Sequence, residues 1–286
     1  MALPQARGRA RRPGLRDAAL RVTLLGTGSA DGWPNPWCSC ASCADARLTG
    51  AARRPTSALV DDALLLDLSP APPPADVLLG GVHTVLVTHD HPDHCAPLVL
   101  LARQWVRREQ PLTVAGPPPV LDAVRPWLAP GDPVELVALA PGDRWERHGY
   151  AVRALAAAHE VPTLLYDVSG PDGGRLLYAT DTGPLPEETV EAVRGADLDV
   201  VLLEETFGDH LGHGTGHLDL ATFPEQLDRL RAVGAVTRRT DVVAVHLSHH
   251  NPPAARLAAR LAACGARLVP DGARVGAGRA AVPRGA

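Results

Sequence analysis

The sequence predicts an α/β (α+β) fold in four layers, αββα, with two sheets sandwiched between outer helices. Three observations predict it. Short runs rich in Val, Leu and Ala recur along the chain, and several end in a histidine or a carboxylate. Helical spacing of apolar residues appears at 98–107, 223–233 and 253–264. No linker-like break divides the chain, so one domain is expected at 19–275, between a basic leader at 1–18 and a low-complexity tail at 276–286.

Residues 21–25 read as the first strand, which runs into Gly26-Thr27-Gly28-Ser29, a turn whose glycines permit close approach to a ligand or metal. Cys38, Cys40 and Cys43 follow within six residues. That spacing is poor for mutual disulfides and can fill three corners of a zinc tetrahedron, with a fourth ligand from elsewhere. Residues 56–60 and 63–67 read as strands joined by a tight turn at Asp61-Asp62, and Asp67 ends the second. The proline-rich stretch at 70–74 is a connector.

The next strand, 82–87, leads into the densest chemistry in the chain: His89, His91, Asp93 and His94, four metal-binding side chains within six residues. Pro92 forbids extended pairing and turns Asp93 and His94 away from the first two, so one loop can feed two ions. A lone histidine usually only satisfies local hydrogen bonds. Three with an aspartate, directly after a buried strand, point to metal instead, and imidazole with carboxylate suits zinc, manganese or iron.

The helix at 98–107 places Arg103, Arg107 and Arg108 on or beside its polar side, most simply a solvated face. A strand at 111–115 and a short helix at 120–128 follow. In the second half, strands are expected at 150–155, 164–168, 176–183, 200–207 and 241–247, with helices at 223–233 and 253–264. His159, Asp181 and His246 each lie at or just beyond a strand end.

Composition narrows the class. The chain has 286 residues, 45% of them hydrophobic and 21% charged, as in an ordinary globular protein. An aromatic content of 3% leaves few base-stacking surfaces, and a net charge of −4 supplies no basic field, so a long nucleic acid is disfavoured. No apolar run reaches the roughly twenty residues that span a bilayer, and the leader lacks the apolar core of a secretory signal. No membrane partner is expected, and a cytoplasmic location is the default.

The run His89-x-His91-x-Asp93-His94 resembles the metal-binding signature of the metallo-β-lactamase superfamily. That resemblance implies that His159, Asp181 and His246 complete a dinuclear site. One ion would take His89, His91, His159 and Asp181, the other Asp93, His94, His246 and again Asp181. A shared carboxylate would hold the ions roughly 3.5–4 Å apart around a hydroxide. Relatives that open β-lactams generally lack this bridging aspartate, whereas phosphodiesterases and glyoxalase-type thioesterases have it. Glu204-x-Thr206 and Gly216-His217-Leu218-Asp219 resemble motifs of the phosphodiesterase branch, which implies that Glu204 holds His217 protonated as the general acid.

Within that branch the chain resembles the phosphoribosyl cyclic phosphate phosphodiesterases of phosphonate degradation, which share the early cysteine loop and a run like Val245-His246-Leu247-Ser248-His249. The resemblance implies that His249 completes a structural zinc site with Cys38, Cys40 and Cys43. The cofactors expected are two divalent ions, Zn or Mn, in the catalytic site with Asp93 among its working residues, and one structural Zn. The partners expected are a small phosphodiester, in the first place a cyclic one, and a second copy of the chain as a homodimer. The alternatives are a lactonase or thioesterase of the same superfamily, and a metal-binding accessory protein without turnover. His210 and His213 read as solvated, and His250 has no assigned role.

Overall fold

The structure is a computed structural model that describes residues 20–107 and 109–276. The leader at 1–18, the tail beyond 276, the side chain of Arg107 and all of Arg108 lie outside the described residues.

Thirteen strands among the described residues form two sheets. The first comprises β1 (Val22–Gly26), β2 (Ser57–Val60), β3 (Leu64–Leu66), β4 (Thr84–Leu86), β5 (Leu112–Gly116) and β6 (Val134–Ala138). The second comprises β7 (Arg144–Arg147), β8 (Tyr150–Ala156), β9 (Leu164–Ser169), β10 (Arg175–Ala179), β11 (Val200–Glu204) and β12 (Asp241–Val245). A last strand, β13 (Arg274–Val275), returns to the first sheet beside β1. The helices are α1 (Ala41–Thr49), α2 (Leu98–Arg107), α3 (Pro118–Val124), α4 (Glu187–Ala192), α5 (Thr222–Ala232) and α6 (Ala254–Ala263).

Period-two burial assembles the layers. Leu64 and Leu66 of β3 point into the space between the sheets, where Tyr166, Tyr178, Leu202 and Val243 meet them. Leu65 points the other way, toward Leu100 of α2 and Val120 and Val124 of α3. On the far side, Leu177, Val201, Leu203 and Ala244 pack outward against Val190 of α4, Leu227 and Leu230 of α5, and Leu257 and Leu261 of α6. Alternation on strands buried on both faces thus gives the four layers αββα.

Each sheet changes character halfway across. Strands β3 to β6 run parallel, and so do β10 to β12. Parallel neighbours deliver their carboxyl ends to one edge, where open α/β sheets place their ligands. In this chain that edge receives Asp67 after β3, the 88–94 loop after β4, Asp181 after β10, Glu204 at the end of β11 and His246 after β12.

The structure also departs from the expected element list. α1, β6, β7, α4 and β13 are additional elements. The helix expected at 120–128 begins earlier, at Pro118 and Pro119, because proline is well suited to a first helical turn. It gives way to a 3₁₀ turn at Arg125–Trp127. Asp61 and Asp62 do form the tight turn between β2 and β3, with φ of 50° and 60°, the double left-handed geometry of a hairpin whose twist matches its strands. No helix among the described residues is long and apolar enough to cross a membrane.

Candidate metal centre

The loop from Thr88 to His94 is shaped from beneath by Asp67, which is fully buried. Its Oδ1 accepts from the Thr88 backbone N–H at 2.7 Å, and its Oδ2 accepts from His94 Nδ1 at 2.7 Å and from the Tyr178 hydroxyl at 2.8 Å. Thr88 Oγ1 reaches both Asp67, at 3.0 Å, and His89 Nδ1, at 3.0 Å. With Nδ1 of His94 engaged by a carboxylate, its Nε2 faces inward, the orientation typical of a metal-binding histidine. His159 is held likewise, by Nδ1 donating to the Gly216 carbonyl at 3.0 Å. His246 Nδ1 lies 2.9 Å from Thr206 Oγ1.

The structure brings together all seven residues of the expected dinuclear set. His89, His91 and His159 offer ligand atoms within 4.8 Å of one another, and so do Asp93, His94 and His246. Asp181 stands between the groups. Its Oδ1 lies 3.9 Å from His89 Nε2 and 3.9 Å from His159 Nε2, while its Oδ2 lies 2.9 Å from His94 Nε2 and 3.4 Å from His246 Nε2. One carboxylate oxygen therefore faces each group.

Nε2 of His89 and Nε2 of His94 are buried without a well-directed hydrogen bond. Buried polar atoms without partners are costly, and two of them aimed at a buried carboxylate fit a pair of divalent cations.

The charge balance points the same way. Burial pushes His89 down to about 2, despite the nearby Asp181 carboxylate, and keeps its imidazole neutral as a ligand must be. Burial also presses on His94, but Asp181 and Asp67 outweigh it and hold that ring well above its ordinary value. Burial would raise Asp181, yet His246, His94 and His89 hold it well below the usual carboxylate range. Asp93 is lowered too, since the neighbouring His246 and His94 imidazoles overcome its burial. The centre is thus a set of ionised carboxylates that draws positive charge, a proton on His94 that a cation would displace.

His217 stands over this cluster with its ring stacked on His246 at 5.3 Å. Its Nδ1 lies 3.0 Å from Glu204 Oε1, and its Nε2 lies 4.0 Å from Asp181 Oδ1. Burial alone would lower it; Glu204, with Asp181 and Glu160 beyond, lifts it to about 9. Glu204 is itself fully buried and also accepts from the Thr182 and Leu218 backbone N–H groups and from Thr206 Oγ1. Thr206 therefore links the carboxylate under His217 to the imidazole of His246, a connection that single-residue reasoning missed. Gly183 was missed as well. A Cβ there would stand 1.6 Å from the Thr215 carbonyl oxygen, so glycine lets the loop carrying His217 lie down on the site.

The second cluster also assembles. Ligand atoms of Cys38, Cys40, Cys43 and His249 lie within 4.8 Å of one another. Backbone N–H groups point at the sulfurs, from Cys40 to Cys38 Sγ at 3.4 Å, from Cys43 to Cys40 Sγ at 3.4 Å, and from Asn35 to Cys43 Sγ at 3.3 Å. Cys40 caps α1 with its sulfur. Its modest burial is outweighed by the Cys43 N–H and the neighbouring His249, which lower it to about 6, while burial raises Cys43 to about 11. A closed four-donor S₃N set of this kind suits zinc.

The Gly26–Ser29 turn lies beside the candidate site. It braces the last ligand segment, since Leu247 N–H donates to the Thr27 carbonyl at 2.9 Å and Ser29 N–H to the Leu247 carbonyl at 3.2 Å. Glycine is needed at position 26 because a Cβ would stand 2.0 Å from the Pro55 carbonyl oxygen. Arg103 is not simply solvated: its guanidinium is partly buried and bonds the Gln110 carbonyl.

The profile described as the beta-lactamase superfamily domain matches residues 58–247. Among curated proteins, an octanoyltransferase of Porphyromonas gingivalis is 27% identical over 82% of this chain and 47% of its own length. A ribonuclease Z of Mycobacterium sp. is 31% identical over 58% of this chain and 62% of its own length. The chain thus spans about half to three-fifths of these relatives. Among solved structures, Zn(2+)-bound PqqB from Methylobacterium extorquens superposes with a TM-score of 0.70 at 22% identity, covering 89% of this chain and 99% of that one. A diphosphatase from the PhnP family gives a TM-score of 0.70 at 22% identity, covering 90% and 97%. Both share the fold.

Proposed function

The chain belongs to the beta-lactamase superfamily domain family, and from that premise we propose that it is a metal-dependent phosphodiesterase acting on a small, cyclic phosphodiester. The observation that carries the reading is Asp181, with one oxygen toward His89 and His159 and the other toward His94 and His246, beneath a His217 held by Glu204. The ribonuclease Z and PhnP-family likenesses support phosphorus as the target.

Two divalent cations, Zn or Mn, would be held by His89, His91, His159 and Asp181 and by Asp93, His94, His246 and Asp181, supplying Lewis-acid neutralisation of phosphoryl charge and a water of lowered pKa. Asp67 and Thr206 fix the rings of His94 and His246 from behind. As the attacking oxygen bonds to phosphorus, the bond to the departing alkoxide breaks, and His217 gives that oxygen its proton. Glu204 raises the His217 imidazole above its ordinary value, which favours the donating form. A structural zinc in Cys38, Cys40, Cys43 and His249 would hold the N-terminal loop beside the strand that ends at His246.

The test is turnover of bis(p-nitrophenyl) phosphate before and after chelation. Release that vanishes with chelator and returns with Zn or Mn is expected, and no metal-dependent release would overturn the reading. On a cyclic phosphodiester with an alkoxide leaving group, His217→Ala should lower kcat by about 10²–10⁴ with unchanged metal content. Thioester turnover indifferent to that substitution would favour carboxyl-ester chemistry instead.

A further inference from the structure

Between the candidate metal centre and the cysteine cluster lies a third group of histidines that neither uses. His210 and His213 sit on the loop after β11, and His250 follows the candidate zinc ligand His249. His210 Nδ1 lies 3.3 Å from His250 Nδ1. The ring of His213 is centred 4.1 Å from that of His210 and 5.8 Å from that of His250. Phe207 floors the group, touching His213 at 4.8 Å on one side and His217 at 5.3 Å on the other.

We propose that His210, His213 and His250 form an accessory transition-metal site that ties the loop carrying His217 to the segment carrying His246 and His249.

Two ring nitrogens 3.3 Å apart are separated by about the distance between adjacent ligands of one ion, given metal–imidazole bonds of about 2.0–2.1 Å. Three imidazole donors select zinc, nickel or copper over magnesium or calcium. The position gives the ion a task. Residues 208–217 form an irregular loop with exposed Leu211, and it returns to the sheet at His217. A cation shared by His210, His213 and His250 would fasten the tip of that loop to the chain just after β12.

The competing arrangement is Asp31, His249 and His250, whose ligand atoms lie within 4.8 Å of one another. It would require His249 to serve an ion other than the one in the cysteine cluster, where it is the only nitrogen donor.

The experiment uses the whole protein and Zn²⁺ alone. Crystals soaked in zinc should show an anomalous peak within about 2.3 Å of nitrogens from His210 and His250. In solution, the unsubstituted chain should bind one more zinc than the His210→Ala/His213→Ala variant. Amide exchange over 209–216 should slow on zinc addition in the first and not in the second. A peak on Asp31, His249 and His250 instead, no peak, or equal zinc counts in the two proteins would each overturn the proposal. The readout is independent of turnover, so it stands or falls separately from the phosphodiesterase reading.

Discussion

Glu205 sits one residue from the carboxylate that holds His217, yet its chemistry is the opposite. It is fully buried, its Oε1 accepts from the Gly208 N–H at 3.0 Å, and its Oε2 has no partner. Burial lifts it to about 8, against the lesser pull of Asn251 and Gly208. A carboxyl raised on folding holds its proton more tightly in the folded chain than in the unfolded one. Its contribution to stability is therefore intact below about 4.5 and is lost as pH climbs toward 8. Glu205→Gln removes the charge at nearly constant shape. Urea midpoints measured at pH 6 and pH 9 should fall in the parent and stay nearly level in the variant, a difference on the order of a few kcal/mol. Equal slopes would mean that Glu205 is not the group responsible. The seven residues that the structure brings together at the candidate metal centre were legible because their spacing is itself chemical information. Glu205 was not, because nothing in Glu204-Glu205 says which carboxylate faces imidazole and which faces only apolar packing.

At the scale of elements, the turn between β2 and β3 places two aspartates in left-handed geometry, Asp61 at φ 50° and Asp62 at φ 60°. Asp61 repays the strain by accepting from the Arg21 N–H at 2.9 Å and the Tyr150 hydroxyl at 3.1 Å. Asp62 has only an exposed contact with Arg21, of the kind that contributes little. Asp62→Gly should therefore raise stability by about 0.5–1 kcal/mol, read as a melting midpoint higher by a few degrees. A lower midpoint would show that the Arg21 contact outweighs the backbone strain. The starts of the strands with clean alternation were legible to within a residue or two, as was α2. β6 and β7 were not: they lie at the outer edges of their sheets with half-exposed, charged sequences, Val-Glu-Leu-Val-Ala and Arg-Trp-Glu-Arg, that lack a buried face. α1 was hidden because its cap is a cysteine sulfur rather than the usual Ser, Thr, Asp or Asn.

Across the whole molecule, the candidate centre is a junction between halves. Asp67 and the 88–94 loop come from the first sheet, while His159, Asp181, Glu204 and His246 come from the second. Cations bound there would cross-link the two sheets, and a ligand bound only by the folded state stabilises it by mass action, about 4 kcal/mol at a thousandfold excess over Kd. Calorimetry of the zinc-loaded chain should show a melting midpoint several degrees above that of the chelated chain, with readdition restoring it. An unchanged midpoint would mean that ions do not join the sheets. The αββα layering followed from helices alternating with strands, and the family signature lay in one loop. The meeting of the two sheets at that loop could not be read from the sequence, because strand pairing across more than a hundred residues leaves no local trace.

Asp181 and His246 both end their strands in left-handed backbone, at φ 57° and 56°. Asparagine tolerates that geometry better than most residues and carries no charge to bury. Opposite selections should therefore pull position 181 apart. Variants sorted for folding in chelator alone should be enriched in Asp181→Asn, whereas those sorted for turnover should keep the aspartate, so that the substitution most disabling to the working protein is among those best tolerated by the stripped one.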